Sequence, residues 1–359
     1  MFDKEKLAFL RLARSKNVGS ATFFNLIDAF GSSLEAIEKI KEIPQKKIVI
    51  AFPEEIEKEL EKVEKFGAKI ITYFDEEYPK LLKEIPDLPL ILTAKGDLEL
   101  LKKNSIAVIG ARNASLNGVN FAKKIASDLA QNKIVTVSGL AKGVDAAAHE
   151  VSYKFGTIAV IAGSIDNIYP RENKFLYDKI FANGLVVTEM PFSSAPRPEN
   201  FVQRNRVISG LSLGTLVIEA GLKSGSLTTA RFALEQGREV FAMPGFPFDE
   251  RCKGSNKLIK DGAKLTEDID DILEEFPFLK RVEIIEKNQQ ENENKISKDV
   301  GEVDKITAEI LKKLSFSAIT IDELVLELKL PFQQVNIALV QLELMDKIEN
   351  NFGKINLKS

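Results

Sequence analysis

The sequence contains very few of the residues that build cross-links and metal centres. Its 359 residues include one cysteine, Cys252, one histidine, His149, and no tryptophan. A single cysteine excludes an intramolecular disulfide, and one histidine with one cysteine excludes a His/Cys zinc cluster. The same scarcity excludes most catalysis by a nucleophile paired with histidine.

Long apolar runs are also missing. No window reaches the roughly 18 consecutive apolar residues that a membrane helix needs, and residues 1–16 are charged, without a signal-peptide core. Hydrophobic residues make up 44% and charged residues 29% of the chain, which is typical of globular proteins. We therefore expect a cytoplasmic protein of two or three domains that makes no membrane contact.

No sign of charge dominates, because 50 Lys and Arg oppose 53 Asp and Glu for a net charge of −3. This balance excludes a DNA-binding protein that works through diffuse positive charge. Residues 1–101 and 281–359 each carry a net charge of −3, whereas residues 102–280 carry +3. An anionic ligand is therefore expected in the middle segment.

The middle segment alternates short apolar runs with helix-like stretches. The runs are rich in Val and Ile and lack polar alternation, which is typical of parallel strands buried on both faces. They are 89–97, 106–110, 134–139, 157–163, 185–189, 215–220 and 239–245. The alternation predicts an α/β fold with a doubly wound, mostly parallel sheet, and we assign this core to residues 81–280.

The two ends of the chain have different patterns. Residues 1–80 predict a helical domain with a helix-hairpin-helix turn at Val18-Gly19-Ser20. Such a turn can direct N–H groups at a DNA phosphate, but no Lys or Arg follows it closely, so a structural or protein-contacting role is favoured. The polar segment 281–302 predicts a flexible linker.

Residues 303–359 predict a small winged-helix domain, with two helices around Leu330-Pro331 and an apolar ending that turns at a glycine. The second helix is poor in cations that could contact bases. From Ser315 onward, four Lys face six Asp and Glu. Protein contact is therefore favoured for this domain, with DNA contact as the alternative.

Small residues, hydroxyls and cations follow the predicted strands. The carboxyl ends of parallel strands meet at one edge, where small residues let a ligand approach and helix-start N–H groups attract anions. We predict a site for several phosphates from Gly110, Ala111, Arg112, Ser115, Gly139, Lys142, Gly163, Ser164, Gly225, Ser226 and Thr229. Glycine and serine are also common turn residues, but several such loops at one edge favour the ligand.

An aromatic residue precedes a short arginine-rich motif. Helical spacing places Phe201 and Arg204 on one face, followed by Asn205 and Arg206. A ring beside guanidinium groups suits a single nucleic-acid strand, because a base stacks on the ring while phosphate pairs with arginine. The alternative is a core Phe with solvated arginines.

The sequence gives little support for a bound cofactor or for a catalytic role. The first loop lacks G-x-G-x-x-G, the second strand ends in Val137-Ser138 without an acid, and G-x-x-x-x-G-K-[ST] is absent. We therefore expect no dinucleotide or P-loop cofactor. His149 is expected to be structural. Glu189 and Glu219 end strands, and we expect them to cap helices or pair with arginine.

The sequence resembles the DNA-processing protein A (DprA, also called Smf) family. The matching segments are IAVIGARNAS (106–115), VTVSGLAKGVDAAAH (135–149), TIAVIAGSIDNIYPREN (157–173), FVQRNRVISGLS (201–212), VIEAGLKSGSLTTARFALEQGREVFAMPG (217–245) and GSNKLIKDGAKL (254–265). Both ends of the chain also resemble the family's sterile-alpha-motif-like (SAM-like) and winged-helix appendages.

The resemblance implies an extended Rossmann-like core that forms a homodimer. It implies binding and protection of incoming single-stranded DNA during natural transformation, and loading of the RecA recombinase, without catalysis. Arg112 would contact phosphate, Phe201 would stack on a base, and Gly163 and Ser164 match the family's G-[GS] step. Some relatives carry a lysine where this chain has Pro198, so that contact is not transferred.

A second hypothesis is a Rossmann-like nucleotide sensor or an enzyme that cleaves nucleoside monophosphates. Such enzymes usually carry P-G-G-x-G-T-x-x-E. This chain matches only the end of that motif, at Gly214-Thr215, with no Pro-Gly-Gly before it. The motif evidence therefore favours the binding protein.

Overall fold

The computed structural model describes residues 4–40, 48–279, 306–314, 319–351 and 354–358. The chain divides into two units, Met1–Pro277 and Phe278–Ser359. The predicted linker 281–302 lies outside the described residues. None of the helices described is long and apolar enough to cross a membrane.

The first unit begins with four helices: α1 (Lys4–Ala13), α2 (Ser20–Phe30), α3 (Ser33–Lys39) and α4 (Pro53–Lys65). Helix α4 has a proline at its start, acids in its first turn and lysines in its last turn, which suits the helix dipole. The predicted helix-hairpin-helix turn joins α1 to α2. Ser20 in this turn is buried, and its hydroxyl donates to Asp87 over 3.1 Å, which agrees with a structural role.

A nine-stranded sheet forms the core of this unit, in the order β1-β2-β6-β5-β4-β3-β7-β8-β9. All pairs among β3 to β9 are parallel, whereas β1–β2 and β2–β6 are antiparallel. The strands are β1 (Lys69–Thr72), β2 (Ile91–Gly96), β3 (Ser105–Gly110), β4 (Val135–Ser138), β5 (Thr157–Val160), β6 (Leu185–Thr188), β7 (Gly214–Ile218), β8 (Glu239–Ala242) and β9 (Lys264–Leu265).

Helices follow most strands of the sheet, as the alternating pattern predicts. They are α5 (Lys80–Lys83), α6 (Leu116–Gln131), α7 (Val144–Ser152), α8 (Lys174–Asn183), α9 (Pro198–Gly210), α10 (Gly225–Glu235), α11 (Lys253–Lys260) and α12 (Ile269–Glu275). The doubly wound, mostly parallel α/β fold is therefore confirmed. Strand β1 lies inside residues 1–80, which the sequence predicts as helical, and β9 was not predicted.

The direction of strand succession reverses at β3. The chain proceeds from β3 to β4 on one side and later returns to β7 on the other side of β3. This reversal opens a crevice at the carboxyl ends of β3 and β7, the usual ligand position in open α/β sheets. Gly110 ends β3 there, paired with Ile218, and a side-chain carbon at Gly110 would collide with the Ile218 carbonyl oxygen.

The second unit contains a helix over residues 306–313, here α13. It is followed by β10 (Ile319–Thr320), α14 (Ile321–Leu328), α15 (Phe332–Leu344), β11 (Ile348–Asn351) and β12 (Lys354–Leu357). The strands form an antiparallel sheet in the order β10-β12-β11. Two helices followed by a hairpin are the predicted winged-helix order, and α15 contains no Lys or Arg.

Candidate functional site

Two adjoining cavities lie at the carboxyl edge of the sheet, with volumes of about 60 and 430 Å³. They share Arg112, Ala141, Phe201 and Arg204, and we call them together the strand-end site. Twelve of the predicted residues line it: Gly110, Ala111, Arg112, Gly139, Lys142, Gly163, Phe201, Arg204, Asn205, Gly225, Ser226 and Thr229. The crevice therefore gathers loops that are far apart in the chain.

The exposed Arg112 and the half-buried Phe201 form the centre of this site. The Arg112 guanidinium carbon lies 5.7 Å from the centre of the Phe201 ring. Phe201 also packs edge-on against Tyr169, with ring centres 5.4 Å apart. Arg112 is exposed and forms no ion pair with any described residue, so its charge is available to an anion.

Lys142 supplies a second cation from the loop between β4 and α7. Its Nζ lies 2.8 Å from Glu172 in an exposed pair, and such pairs are weak enough for a phosphate to replace. The same loop packs tightly on the Arg112 loop at Gly143, whose φ is +77°. A side-chain carbon there would collide with the carbonyl oxygens of Ala111 and Arg112, so glycine permits the close approach.

Arg204 lies beneath the site rather than at its surface. Only 6% of the residue is exposed, and its guanidinium donates to the carbonyl oxygens of Gly139, over 2.6 Å, and Val160. The sequence predicts that Arg204 adds charge directly to a phosphate. The structure corrects this prediction, because the guanidinium is committed to two backbone carbonyls and supports the loop that follows β4.

Asp145 completes this support from the first turn of α7. Its carboxylate accepts the N–H groups of Gly139, over 3.1 Å, and Ala141, over 3.3 Å. Burial raises the pKa of Asp145, while the nearby Arg204 charge and the two N–H donors oppose that shift. Burial lowers the pKa of Arg204 to about 10, so the arginine remains positively charged at neutral pH.

Arg206 faces a different region from Arg204. Its Nε lies 2.9 Å from Asp87 and its Nη2 lies 2.8 Å from Glu189, with 7% of the side chain exposed. Although burial opposes the charged form, the Glu189 and Asp87 carboxylates raise the pKa of Arg206. The prediction that Arg206 reaches phosphate is therefore corrected. Two residues span about 200° of helix, which separates Arg206 from the strand-end site.

Ser115 and Ser164 lie outside the cavities, so the structure does not bring them to a ligand with the others. Ser115 caps α6, because its hydroxyl oxygen accepts the N–H of Gly118 over 3.0 Å. Its own N–H donates to Glu219 over 2.8 Å. The Ser164 hydroxyl is buried and donates to the Ser194 carbonyl over 2.9 Å. Glu219 thus supports a helix start, as expected.

The start of α10 forms the far wall of the larger cavity. Gly225 is exposed there, while Ser226 and Thr229 are buried behind it. The Asn205 side chain donates to the Gly225 carbonyl over 3.3 Å, which ties α9 to this loop. The first N–H groups of a helix attract anions, so this wall can receive a phosphate.

Several residues that line the site were missed by sequence reasoning, and three of them carry polar or aromatic groups that shape it. Asp145 is one, and Tyr169 and Tyr177 line the smaller cavity. The Tyr177 hydroxyl is buried without a hydrogen-bond partner among the described residues, and burial raises its pKa. Tyr169 offered a usable signal, because it is an aromatic residue in the loop after a predicted strand.

His149 is buried below the site and does not line it. Its Nδ1 lies 2.7 Å from the Thr157 hydroxyl oxygen. Burial lowers the pKa of His149 to about 3, so the imidazole is neutral at physiological pH. This placement agrees with the expected structural role. Within the described part of the chain, no group of three or more His, Cys, Asp or Glu could hold a metal.

The fold and the site together define a class of protein. The chain is a Rossmann-like α/β protein with a crevice lined by cations at the carboxyl edge of its sheet and a separate winged-helix unit. Its family is that of the DNA recombination-mediator protein A, whose profile matches residues 69–277, and the chain belongs to it. A DprA-like N-terminal HHH domain matches residues 3–61, and a DprA winged helix domain matches residues 299–354.

Relatives extend this assignment. The DNA processing protein DprA of Bacillus subtilis is 44% identical over 214 residues, covering 59% of this chain and 72% of the relative. The X-ray structure of DprA from Streptococcus pneumoniae is similar with a TM-score of 0.60 and 37% identity, covering 70% of this chain and 86% of that one.

A further similar structure concerns the single-stranded DNA binding mode of DNA processing protein A from Helicobacter pylori. Its TM-score is 0.54 and its identity 30%, covering 58% of this chain and 95% of that one. All three relatives carry the DNA-processing name, which agrees with the resemblance found in the sequence.

Proposed function

We propose that this protein binds single-stranded DNA at the strand-end site without sequence preference and acts as a recombination mediator. The observation that carries the proposal is the unpaired, exposed Arg112 beside the Phe201 ring, 5.7 Å away. The Helicobacter pylori relative, studied for its binding of single-stranded DNA, supports the same ligand class.

Different residues of the site contact the phosphate backbone and the bases of the DNA strand. Arg112, Lys142 and the start of α10 bind phosphates, while a base stacks against Phe201 beside Tyr169. Every base has a π-face, so stacking tolerates any sequence. Phosphate contacts make the affinity fall as salt rises.

The direct test is Arg112→Ala in a fluorescence-anisotropy titration with labelled single-stranded and double-stranded oligonucleotides. Loss of one charge-assisted phosphate contact is expected to weaken single-strand binding by about 1.5–3 kcal/mol, equally across sequences. The slope of log affinity against log salt should become shallower by about 0.7.

Arg231→Ala is the matched control, because Arg231 is exposed on α10 and does not line the strand-end site. Circular dichroism checks that both variants fold. Equal affinities for the wild type, Arg112→Ala and Arg231→Ala at moderate salt would remove Arg112 from the interface.

The wider role is proposed from the family. The protein protects incoming single-stranded DNA in the cytoplasm during natural transformation and loads RecA onto it. Two copies pair through the α/β core, so one strand can engage two sites. Light scattering measures the oligomeric state. Stimulation of RecA filament growth on single strands already covered by single-strand-binding protein measures loading, and no stimulation would contradict it.

We also propose that binding involves no chemical reaction. Asp145 is the one carboxylate among the described residues lining the strand-end site, and it is engaged by two backbone N–H groups. Nucleoside monophosphates incubated with the protein should therefore release no free base. Turnover that disappears in Asp145→Asn would establish the enzyme hypothesis instead.

A further inference from the structure

The loop after β8 exposes two aromatic rings that the strand-end site does not include. Phe246 is 68% exposed and Phe248 is 85% exposed. Their ring centres are 5.6 Å apart, with an angle of 59° between the planes. Single exposed apolar side chains are common, but two adjacent exposed rings form a contiguous apolar patch, and such patches mark contact sites when they are large.

This loop is held in place by hydrogen bonds. The Asn256 side chain both accepts from the Gly245 N–H, over 3.0 Å, and donates to the Gly245 carbonyl, over 2.9 Å. The Asp249 N–H donates to the Phe246 carbonyl over 3.0 Å. Because the backbone is ordered at both ends, the rings need little further ordering when a ligand binds.

The aromatic pair lies at the same edge of the sheet as the strand-end site. Strands β3, β7 and β8 are neighbours, and adjacent strands are about 4.8 Å apart. The loop after β8 therefore begins about 10 Å from the loop that carries Arg112. Helix α11, which follows this loop, contacts the loop after β7, because the Gly254 N–H donates to the Ala220 carbonyl over 2.6 Å.

A cation lies beside this contact. Lys223 is exposed in the loop after β7 and forms no ion pair with any residue that the structure describes. It follows Ala220 by three residues and precedes the start of α10 at Gly225 by two. A cation and a pair of exposed aromatic rings on neighbouring loops suit the alternation of phosphate and base along a single strand.

We propose that Phe246 and Phe248 form a second base-stacking site for single-stranded nucleic acid, with Lys223 contacting the phosphate that leads to it. This inference rests on the proposed function. The strand runs from Arg112 and Phe201, across the start of α10, to the aromatic pair. The same exposed rings suit a protein partner, and that occupant is an outcome of the test.

The first experiment compares two oligothymidines, one of 2 nucleotides, which is shorter than the gap of about 10 Å between the two loops, and one of about 15 nucleotides, which is near the upper end of single-strand site sizes. The double substitution Phe246→Ala with Phe248→Ala should weaken binding of the longer strand about 10-fold, the loss expected for one stacked base. Binding of the shorter strand, which fits at Arg112 and Phe201 alone, should be unchanged.

Phe155→Ala is the matched control, since Phe155 is also 68% exposed but precedes β5 at the opposite edge of the sheet. Equal affinity of the double variant and this control for the longer strand overturns the proposal. If the double variant instead changes the oligomeric state in light scattering, the pair is a protein contact and the proposal also fails.

A second experiment detects stacking directly. The chain contains no tryptophan, so Phe248→Trp and the control Phe155→Trp each carry a single tryptophan, which can be excited apart from the tyrosines. The longer oligothymidine should quench the tryptophan at position 248 and leave that at position 155 unchanged. Binding without quenching at 248 overturns the aromatic site while leaving the proposed function intact, whereas failure of the wild type to bind overturns the proposed function.

Discussion

Three residues of α9 show how strongly depth and helical phase decide the role of a side chain. Phe201 contacts Arg112 at the cavity, whereas Arg204 is bonded to carbonyls under it. Arg206 pairs with carboxylates away from the site. The exposed cation beside Phe201 is therefore Arg112, which comes from another loop.

The sequence could single out Arg112 and Phe201, because a strand end and an aromatic–arginine motif are local patterns. It paired Phe201 with Arg204, however, and the contact between Phe201 and Arg112 appears only in the structure. It could not show that Arg204 and Arg206 are buried. Burial of an arginine depends on distant acceptors, here the Gly139 carbonyl and Glu189. Tyr177 could not be identified as a site residue for the same reason, since its place in the cavity wall depends on the packing of α8.

At the residue scale, we predict that the buried His149 makes the stability of the folded protein fall at acid pH. The unfolded chain binds a proton at the ordinary pKa of 6.5, whereas the folded chain holds this pKa at about 3. Stability from the neutral imidazole is thus present above pH 6.5 and is lost as pH falls toward 3. Between pH 4 and 6, this group alone contributes a slope of about 1.4 kcal/mol per pH unit.

His149→Asn should remove that contribution. Urea unfolding at several pH values measures the slope, and Cys252→Ser is a control at another buried, non-titrating position in this pH range. Parallel curves for the wild type and His149→Asn would show that other groups cause the acid loss.

At the scale of elements, the strands that sequence reasoning found are the ones with long β-branched runs. Strand β3 contributes Ser105–Gly110 and β7 contributes Gly214–Ile218, with every residue but Gly110 buried. Strand β1 has two Ile in a polar setting, and β9 is two residues long. Such short segments become strands because a neighbouring strand pairs with them. This pairing cannot be recognised from the local sequence.

Helix α9 is anchored by the Arg206 ion pairs, and Arg206→Met tests their strength. Removing the arginine leaves the Glu189 carboxylate nearly buried without its partner, which is expected to lower the free energy of unfolding by about 3 kcal/mol. Equilibrium unfolding in urea measures this. The exposed Arg231→Met should change it by less than about 0.5 kcal/mol, and equal midpoints for both variants would contradict the anchoring role.

At the scale of the whole molecule, every residue of the strand-end site belongs to the unit Met1–Pro277. A chain ending at Pro277 should therefore bind a single strand with an affinity within about two-fold of the full chain, measured by gel shift or anisotropy. A larger loss would assign part of the binding energy to the second unit. The predicted domain boundaries at 80, 280 and 302 remain predictions.

Because of the reversal of strand order at β3, residues from distant parts of the chain build the site, so it can form only late in synthesis. Arg112 is synthesised early, but the larger cavity around it also needs α9 and the start of α10. The last residue that lines this cavity is Thr229. A nascent chain that stops after β6 lacks α9 and the start of α10, which supply Phe201, Arg204 and the residues from Ser224 to Thr229 that line the larger cavity. The proposed DNA site would therefore form only after these elements are made, before β8 and β9, and a strand bound there would stabilise the folded unit.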